Sequence, residues 1–475
     1  MPFPVLPSRQ YDPRMTVNGE AITQADVQAY GKSLRTKVKR SSHARFEPVD
    51  RDPVKIIEEQ NETRVEQLIP VRIGRMLQSG FAYYRGTAAN MAFDLSKESR
   101  TDIHVIGCGD AHASNFGLFA APDRRVLFDL NDFDESGPIP WEWDIKRLAA
   151  SIEVGFRHRG FTAQQSEQAC RACVASYRNS LAQLSEKTAL ERYYFRIEMS
   201  DMLEMAQNEA GVKIIKKTVK KAEGRTSQRV LSKITTAQDG GEPQIVDQPP
   251  ILQHVKDLIG MEEVQEIFDR YRGTLRPDIN LLLSKFRLVD FALRVVGVGS
   301  VGTRCFIMLL IGPKGEAIFI QLKEAMPSVI ETYGGIAPNR LSGLGDTFPP
   351  SQGYRVVSTQ QVLQAASDPF LGWVGDVRGS DYFVRQFRDM KGSADLDQLT
   401  PTQFERYGMV CAGLLARAHS QSPGWAAIQG YLGSSDVFDR SVASWCKSYA
   451  DQIERDFDAL QAAVKSGRLP CETGV

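Results

Sequence analysis

Residues 295–325 read VVGVGSVGTRCFIMLLIGPKGEAIFIQLKEA, and this stretch decides what kind of fold the chain can adopt. Two apolar, β-forming runs surround the glycines, and a third follows the sequence GPKGE, which is typical of a tight turn. The pattern predicts a strand, a glycine-rich turn, a second strand, a hairpin turn and a third strand. We therefore expect a β-rich lobe with a glycine loop at one end.

The glycine loop contains Gly297, Gly299 and Gly302, in the spacing GxGxxG. A dinucleotide-binding turn needs a helix directly after these glycines, whereas the residues that follow here are β-forming. The alternative is a hairpin that folds over nucleotide phosphates, with a lysine on the next strand. Lys323 in IFIQLKEA has that position. Its other interpretation is an exposed lysine on an edge strand.

The lysine of a nucleotide site needs an acidic partner, and both Glu331 and Glu324 are available in the sequence, with Glu331 preferred. Before the glycines, a helix is predicted over roughly 252–293. After them, SDYFVRQFRD (380–389) predicts a strand. The segment 400–421 predicts a long helix that begins with a threonine cap.

A second group of polar residues lies upstream, in the segment Gly109-Asp110-Ala111-His112-Ala113-Ser114-Asn115. Phosphoryl transfer needs a carboxylate beside the attacking hydroxyl and hard oxygen ligands for magnesium. Asp110 is the candidate for the first role, and Asn115 and Asp132 are the candidate metal ligands. The structural alternative is an acidic loop whose side chains cap turns.

The acidic residues continue through VLFDLNDFDE, where Asp129, Asp132 and Asp134 are crowded together. Carboxylates so close repel one another unless a cation or protons compensate their charge. This crowding favours a cation site over a simple capping loop.

The segment GDAHASN resembles the GDxxxxN catalytic loop of aminoglycoside and choline kinase-type phosphotransferases. NDFDESGPIPWEWDIKRLA resembles the stretch that follows this loop, in which a metal-binding aspartate precedes a helix with the pattern D-hydrophobic-x-R-L. On this resemblance the metal ligand is Asp132, because it precedes Asp144 by the family's spacing. The chain departs from the pattern at Cys108, where those enzymes usually have a histidine.

The order of the two groups is the reverse of that in ordinary kinases, whose glycine loop precedes the catalytic loop. The helix that ends in LLARAHSQ (414–421) resembles the helix that leads into a catalytic loop, so joining its end to residue 104 restores the kinase order. We therefore predict an α+β, protein-kinase-like two-lobe fold that is circularly permuted. The predicted divisions are an N-terminal extension (1–70), an α-rich catalytic lobe (71–290) with an insert near 213–250, a β-rich nucleotide-binding lobe (291–400) and C-terminal helices (401–475) that complete the α-rich lobe.

The whole chain is also similar to a bacterial family of uncharacterised proteins, domain of unknown function 2252. The motifs FAYYRGTAANM, CGDAHASNFG, WEWDIKRLAAS, YFVRQFRDMKG and LARAHSQS carry the resemblance, over roughly residues 45–465. The family supplies no settled substrate.

Composition limits the partners. Lysine plus arginine and aspartate plus glutamate number 58 each, so no global field attracts nucleic acid or an acidic membrane. No apolar run is long enough for a spanning helix, and residues 1–15 contain prolines and charges instead of a signal-peptide core. The seven cysteines are scattered, which suits reduced thiols in the cytoplasm. Cys170 and Cys173 are either helix-face thiols or half of a zinc site.

Together these features predict an ATP- and magnesium-dependent kinase-like phosphotransferase, acting on a hydroxyl of an unknown small molecule or protein. The resemblance also implies one alternative, an AMP transferase that binds the nucleotide reversed. A second alternative is a non-catalytic nucleotide-binding regulator, which Cys108 in place of the loop histidine and the unassigned acidic partner of Lys323 favour. Arg85 could clamp a phosphate or tie a helix to a carboxylate such as Asp134 or Asp144. His112 could act as a base or brace its loop, and His419 is expected to be structural.

Overall fold

A computed structural model describes residues 16–17, 20–205, 209–224, 227–236, 242–255, 259–295, 297–337, 351–387 and 390–474. Residues 1–15, 18 and 19 of the N-terminal extension predicted at 1–70 lie outside this part of the chain. Among the helices that the structure describes, none combines the length and the apolar character needed to cross a membrane.

Helices and strands are mixed along the chain, as expected for the α+β class. The first elements are β1 Thr16–Val17, β2 Glu20–Ala21, α1 Gln24–Ser33, α2 Pro53–Asn61, α3 Ile69–Met76, α4 Gly80–Gly86, α5 Ala88–Ser96, β3 His104–Gly107, β4 Phe116–Ala120, β5 Val126–Leu130 and β6 Gly137–Pro140. They are followed by α6 Trp141–His158, α7 Ala163–Ser185, α8 Ala189–Tyr194, α9 Met199–Met205, α10 Glu209–Glu223, α11 Ser227–Ile234, β7 Thr235–Thr236, β8 Gln244–Ile245 and β9 Leu252–Gln253. The remaining elements are α12 Met261–Arg272, α13 Pro277–Leu283, β10 Arg287–Arg294, β11 Cys305–Ile311, β12 Ala317–Ala325, α14 Val329–Thr332, α15 Gln352–Leu363, β13 Gly372–Val377, β14 Ser380–Gln386, α16 Pro401–His419, α17 Trp425–Leu432 and α18 Val437–Lys465.

Helix α6 is the central helix of the helical part and packs against α7, α16 and α18. It is buried along almost its whole length, although it carries Glu142, Asp144, Lys146 and Arg147. Buried charges need partners, and Lys146 has one in Glu98. Asp144 and Arg147 bond to the segment that follows β3, so α6 supports the region where the catalytic residues were predicted.

The main sheet has six strands in the order β13-β14-β12-β11-β10-β9, and all neighbours are antiparallel. Of the three strands predicted around the glycine loop, the second and third are confirmed as β11 and β12. The strand before the loop, β10, ends at Arg294 and lies in the segment that was predicted as helix. The predicted turn between β11 and β12 closes through the N–H of Gly312, which donates to the carbonyl of Glu316 at 2.8 Å. The strand predicted at SDYFVRQ is confirmed as β14.

The two faces of this sheet are both covered. Because successive side chains of a strand point to opposite faces, Ile320 and Leu322 of β12 pack with Phe268 of α12 on one face. Phe319 points to the other face and packs with Val230 of α11. Lys323 is four residues after Phe319 in the same strand, so both side chains point to the same face of the sheet. The lysine therefore lies on the face that α11 partly covers.

The helix predicted over 252–293 is wrong in its extent. The segment contains α12 and α13, and its last part is the strand β10. Gly273 and Pro277 separate the two helices, because proline favours the first turn of a helix and ends a preceding one. By contrast, the helix predicted over 400–421 is confirmed as α16, and the Thr400 side chain accepts from the N–H of Gln403.

Candidate active site

The segment after β3 turns sharply and is held by one carboxylate from α6. Gly109 has a φ of +76°, and a Cβ there would lie 2.1 Å from the carbonyl oxygen of Glu135, so only glycine fits. The Asp144 Oδ2 accepts from the N–H of Cys108 at 2.6 Å, and its Oδ1 accepts from the N–H of Gly109 at 2.9 Å. Asp144 therefore fixes the backbone just before Asp110.

His419, at the end of α16, completes this support. Its Nε2 lies 3.1 Å from Asp144 Oδ2, and its Nδ1 lies 2.7 Å from the hydroxyl of Tyr177. Since the carboxylate can only accept, the Nε2 carries the proton and the Tyr177 hydroxyl donates to Nδ1. The next residues of the chain also touch β3, because Ser422 Oγ accepts from the N–H of Ile106 at 2.8 Å. The structural role expected for His419 agrees with these contacts.

Asp110 has one oxygen bound and one free for the cavity. Its Oδ1 accepts from Arg147 Nε at 2.8 Å, while Arg147 Nη2 donates to the carbonyl of Tyr84 and the guanidinium lies 3.9 Å from the Tyr84 ring centre. Burial raises the pKa of Asp110, although Arg147 opposes this effect. The carboxylate is thus held in orientation while its Oδ2 stays available.

His112 lies near Asp110 Oδ2, but its ring is hydrogen-bonded within its own loop. Its Nδ1 accepts from the N–H of Ser114 at 3.2 Å, so the ring proton is on Nε2, which lies 3.7 Å from Asp110 Oδ2. Burial and the nearby guanidinium groups of Arg85 and Arg147 hold the pKa of His112 well below its ordinary value. The histidine is therefore neutral and braces the loop, which was the second of its two sequence interpretations.

The two predicted metal ligands, Asn115 and Asp132, both line one cavity, and each has a side-chain oxygen without a described hydrogen bond. Asn115 Nδ2 donates to the carbonyl of Asp110 at 2.8 Å, which leaves the amide oxygen for another partner. The Oδ1 of Asp132 is buried, and no described residue hydrogen-bonds to it. Burial opposes ionisation of Asp132, but Lys323 and Arg385 outweigh it and lower the pKa of this carboxyl.

Lys323 lies directly behind these acids. Its Nζ is 2.5 Å from Asp134 Oδ2 and 3.9 Å from Asp132 Oδ1, across 189 and 191 positions of sequence. The Oδ1 of Asp134 is a second buried carboxylate oxygen to which no described residue donates a hydrogen bond. The sequence did not predict that Asp134 pairs with Lys323. The only signal for this pair was that Asp129, Asp132 and Asp134 are close together in the sequence.

Neither glutamate proposed as the partner of Lys323 is bonded to it among the described contacts. Glu324 pairs with Arg304 at 2.7 Å and accepts from Ser380 Oγ at 2.9 Å. Glu331 lies on α14, and its Oε2 is buried without a described hydrogen bond.

The residues present fit a magnesium ion. Two carboxylate oxygens and an amide oxygen are available beside a lysine that compensates part of the negative charge. Within the described chain, no group of three or more His, Cys, Asp or Glu side chains forms a metal cage. Magnesium binds through one or two carboxylates together with water and phosphate oxygens, so this sparse set suits an ion that arrives with a nucleotide.

The glycine loop is anchored by the N-terminal helices. Gly297 and Gly302 have φ angles of +71° and +90°, which favour glycine. Arg75 Nη1 donates to the carbonyl of Gly297 at 2.6 Å, and the N–H of Val65 donates to that of Gly302 at 2.8 Å. These anchors were not predicted. A strand, β11, follows the loop, so the dinucleotide-binding interpretation, which requires a helix there, is wrong.

One cavity of about 350 Å³ brings the two groups together. Its lining includes Asp110 and Asn115 from the segment after β3, Asp132 from the segment after β5, and Gly297 and Gly299 from the glycine loop. Gly302, Lys323 and Glu331 are not among the lining residues within the described part of the chain, since Lys323 reaches the cavity through Asp134. Residues from α2, α4 and the segment after β12 form the remaining walls.

The other candidates lie outside this cavity. Asp129 is buried and accepts from the N–H groups of Leu130 and Ala365, at 2.9 and 3.0 Å, so it stabilises a turn. Cys170 and Cys173 are buried on α7, and all seven cysteines are free thiols.

The model of a family described as an uncharacterised protein conserved in bacteria (DUF2252) matches residues 64–463. The match covers well over half of the chain, so the chain belongs to this family. No curated protein and no solved structure matches it significantly.

Proposed function

Since this bacterial family brings no activity with it, we propose from the site that the chain is an ATP- and magnesium-dependent transferase, which moves a phosphoryl group to a hydroxyl. The observation that carries this proposal is the single cavity lined both by Asp110, Asn115 and Asp132 and by the glycine loop. Carboxylate, amide and backbone N–H groups in one cavity are what phosphoryl transfer needs, because its catalysis is mostly positioning and electrostatic stabilisation.

The order of the strands supports a kinase-like lobe. The glycine loop joins β10 to β11, the lysine is on the following strand β12, and α15 is a helix that packs on the same sheet. In protein kinases the glycine loop covers the phosphates and the lysine is on the third strand. We therefore propose that residues 287–386 form the nucleotide-binding lobe.

Circular permutation is part of the same proposal. The end of α16 contacts the start of the catalytic segment through His419 with Asp144 and through Ser422 with Ile106. A chain that ran directly from Ser422 into β3 would have the kinase order of elements. Cutting such a chain elsewhere is tolerated where the new ends lie at the surface.

Each residue has a defined part in this proposal. Asp110, oriented by Arg147, accepts the proton of the acceptor hydroxyl through its free Oδ2. Asn115 and Asp132 would hold magnesium, which supplies charge neutralisation on the phosphates. Lys323 holds Asp132 and Asp134 in place and adds positive potential at that wall of the cavity.

A second candidate, AMP transfer, is favoured by one observation. The sheet face that carries Lys323 is covered by α11 at Phe319, four positions before the lysine, where Val230 packs. The cavity instead has apolar lining at Met326, Val329 and Tyr333. A nucleotide whose base lies against these residues would be reversed relative to the kinase orientation, as the AMP-transferring alternative requires.

The test is magnesium-dependent ATP binding followed by turnover. Addition of Mg-ATP should raise the melting temperature, and ATP without magnesium should do so much less. Asp110→Ala should slow turnover on the order of 100-fold or more, while Asp458→Ala, at an exposed position of α18, should not. Intact-mass spectrometry of the product separates phosphoryl from adenylyl addition. Binding without turnover on any acceptor would make the chain a non-catalytic regulator, and no response to Mg-ATP would sink the proposal.

A further inference from the structure

A second cavity, of about 420 Å³, adjoins the first at Arg85. Arg85 is in the lining of both cavities. The second cavity is also lined by Ser114, which immediately precedes the candidate metal ligand Asn115. The two cavities thus reach the catalytic segment from different sides, with one arginine on their common wall.

The guanidinium of Arg85 has no direct hydrogen-bonding partner among the described residues, although the carboxylates of Asp110 and Asp132 are near enough to act on its charge. Among the described residues, none forms a hydrogen bond or an ion pair with its side chain, and its Nε is fully buried. Burial lowers the pKa of Arg85, and the nearby Asp110 and Asp132 act in the opposite direction. Arginine remains charged in proteins, so this guanidinium has N–H donors that are available to bind an anion. It differs in this from Arg147, whose guanidinium is bound to Asp110 and to the carbonyl of Tyr84.

The second cavity adds another cation with the same property. Lys221 of α10 is exposed in its lining, and no described residue forms an ion pair with it. The lining also contains His158 and Asp397, which lie 3.8 Å apart, and Asp395. A guanidinium and an ammonium at one cavity are complementary to a carboxylate or a phosphate. The guanidinium binds the anion through paired N–H donors, and the ammonium attracts it as a point charge.

We propose that this second cavity binds the acceptor, a hydroxyl compound with an anionic group, and that Arg85 holds that anion beside the catalytic segment. The inference rests on the proposed transferase function and names its acceptor class. The acceptor would enter past Lys221, and its hydroxyl would approach Asp110 from the side of Ser114. The bond that forms joins the acceptor oxygen to phosphorus, the bond that breaks joins that phosphorus to ADP, and the hydroxyl proton goes to Asp110.

The first test needs neither nucleotide nor magnesium and uses inorganic phosphate as the probe. Phosphate should raise the melting temperature of the wild-type protein. Arg85→Gln should lower the apparent phosphate affinity about 10-fold or more, and Lys221→Ala should lower it by a smaller factor. Lys220→Ala, at a neighbouring exposed lysine outside the cavity lining, and Arg276→Gln, at an exposed arginine, are the matched controls.

Each outcome of the phosphate test supports or overturns the proposed anion site. If Arg85→Gln binds phosphate as the wild type does, the proposal is overturned. If Lys220→Ala lowers the affinity as much as Lys221→Ala, the effect is one of general surface charge and the cavity is not the site. Should Arg85→Gln fail to fold, Arg85→Lys keeps the charge but not the paired geometry, and Lys221→Ala tests the cavity from its exposed side.

The second test compares acceptors in Mg-ATP turnover. Glycerate and glycerol 3-phosphate should stimulate ADP formation at least about 10-fold more than glycerol or choline at equal concentration. Lys221→Ala should raise the KM for glycerate and leave the affinity for ATP unchanged. Equal stimulation by glycerol overturns the anionic acceptor while the transferase proposal stands. If the protein binds phosphate through Arg85 but does not respond to Mg-ATP, the proposed transferase function is wrong. The phosphate affinities of the variants would still show whether the anion site exists.

Discussion

Two groups of polar side chains lie near the segment 108–115, and they differ in how completely they are hydrogen-bonded within the protein. The inner group consists of Asp144, His419 and Arg147, and each of these side chains has described hydrogen bonds that fix it. The cavity group consists of Asp132, Asp134 and Arg85, and each has a buried polar atom without a described hydrogen bond.

This difference separates the two kinds of work that buried charges do. A charge whose bonds are all made inside the protein holds the backbone in one conformation. A buried polar atom left without a partner costs free energy in the folded state, and its retention is understandable where a ligand provides the missing bond. The comparison predicts that removing an inner charge reduces stability and that removing a cavity charge reduces activity.

The largest effect is expected from Asp144→Ala. The substitution leaves the N–H groups of Cys108 and Gly109 without their acceptor and His419 without its carboxylate. Breaking a buried, hydrogen-bonded charge pair in this way should cost about 3–5 kcal/mol of unfolding free energy. Urea denaturation measures it, with Asp458→Ala as the surface control. A loss below about 1 kcal/mol would mean that Asp144 does not hold the segment.

Asp132→Asn should reduce activity and leave the unfolding free energy almost unchanged. The change keeps the size of the side chain but removes the negative charge, so magnesium-dependent turnover should fall about 100-fold or more. Stability in the absence of ligand should be unchanged or slightly higher, because the repulsion with Asp134 is relieved. A variant that is strongly destabilised but retains its turnover would remove the distinction between the two groups.

Lys323→Met tests the residue between the acids and the sheet. Without the ammonium, Asp132 and Asp134 have no compensating lysine, and they should take up protons more readily. We expect the affinity for Mg-ATP to fall about 10-fold, measured by titration calorimetry. Lys314→Met, in the exposed turn between β11 and β12, is the control. Equal affinity in Lys323→Met would show that the lysine is only a packing residue.

The same comparison explains what the sequence could predict. The strands β11 and β12 could be predicted because alternation and turn residues are local signals. Asp110 and Asn115 could be selected because their side chains have the chemistry of a phosphoryl-transfer site, and the resemblance to phosphotransferases selected Asp132 among the neighbouring acids. Their roles remain predictions, but the structure places all three in one cavity.

The partners that cross the chain could not be predicted. The bond between Lys323 and Asp134 joins residues 189 positions apart, and one sequence contains no signal that prefers Asp134 to Glu331. The anchoring of Gly297 by Arg75 likewise joins the glycine loop to a distant helix. The strand β10 was predicted as helix because its apolar run is short, and pairing with β11 decided its conformation.

The smallest effect is expected from Glu135, which extends the cavity group by one residue. Burial raises the pKa of Glu135 to about 7, although the N–H of Val329, which donates to its Oε2 at 2.6 Å, opposes this. The folded state therefore binds more protons than the unfolded state between the ordinary glutamate pKa of 4.5 and pH 7. Stability should fall as the pH rises through this window.

Glu135→Gln should remove that dependence, because an amide does not titrate, and the unfolding free energy should become flatter between pH 4.5 and 7. Denaturant titrations of both proteins at several pH values provide the measurement. A cation beside Asp132 and Asp134 would favour the ionised form of Glu135, so Mg-ATP should also reduce the pH dependence of the wild-type protein. If magnesium and nucleotide leave that dependence unchanged, the missing partner of the cavity group is not a cation, and Arg85 alone would mark the ligand.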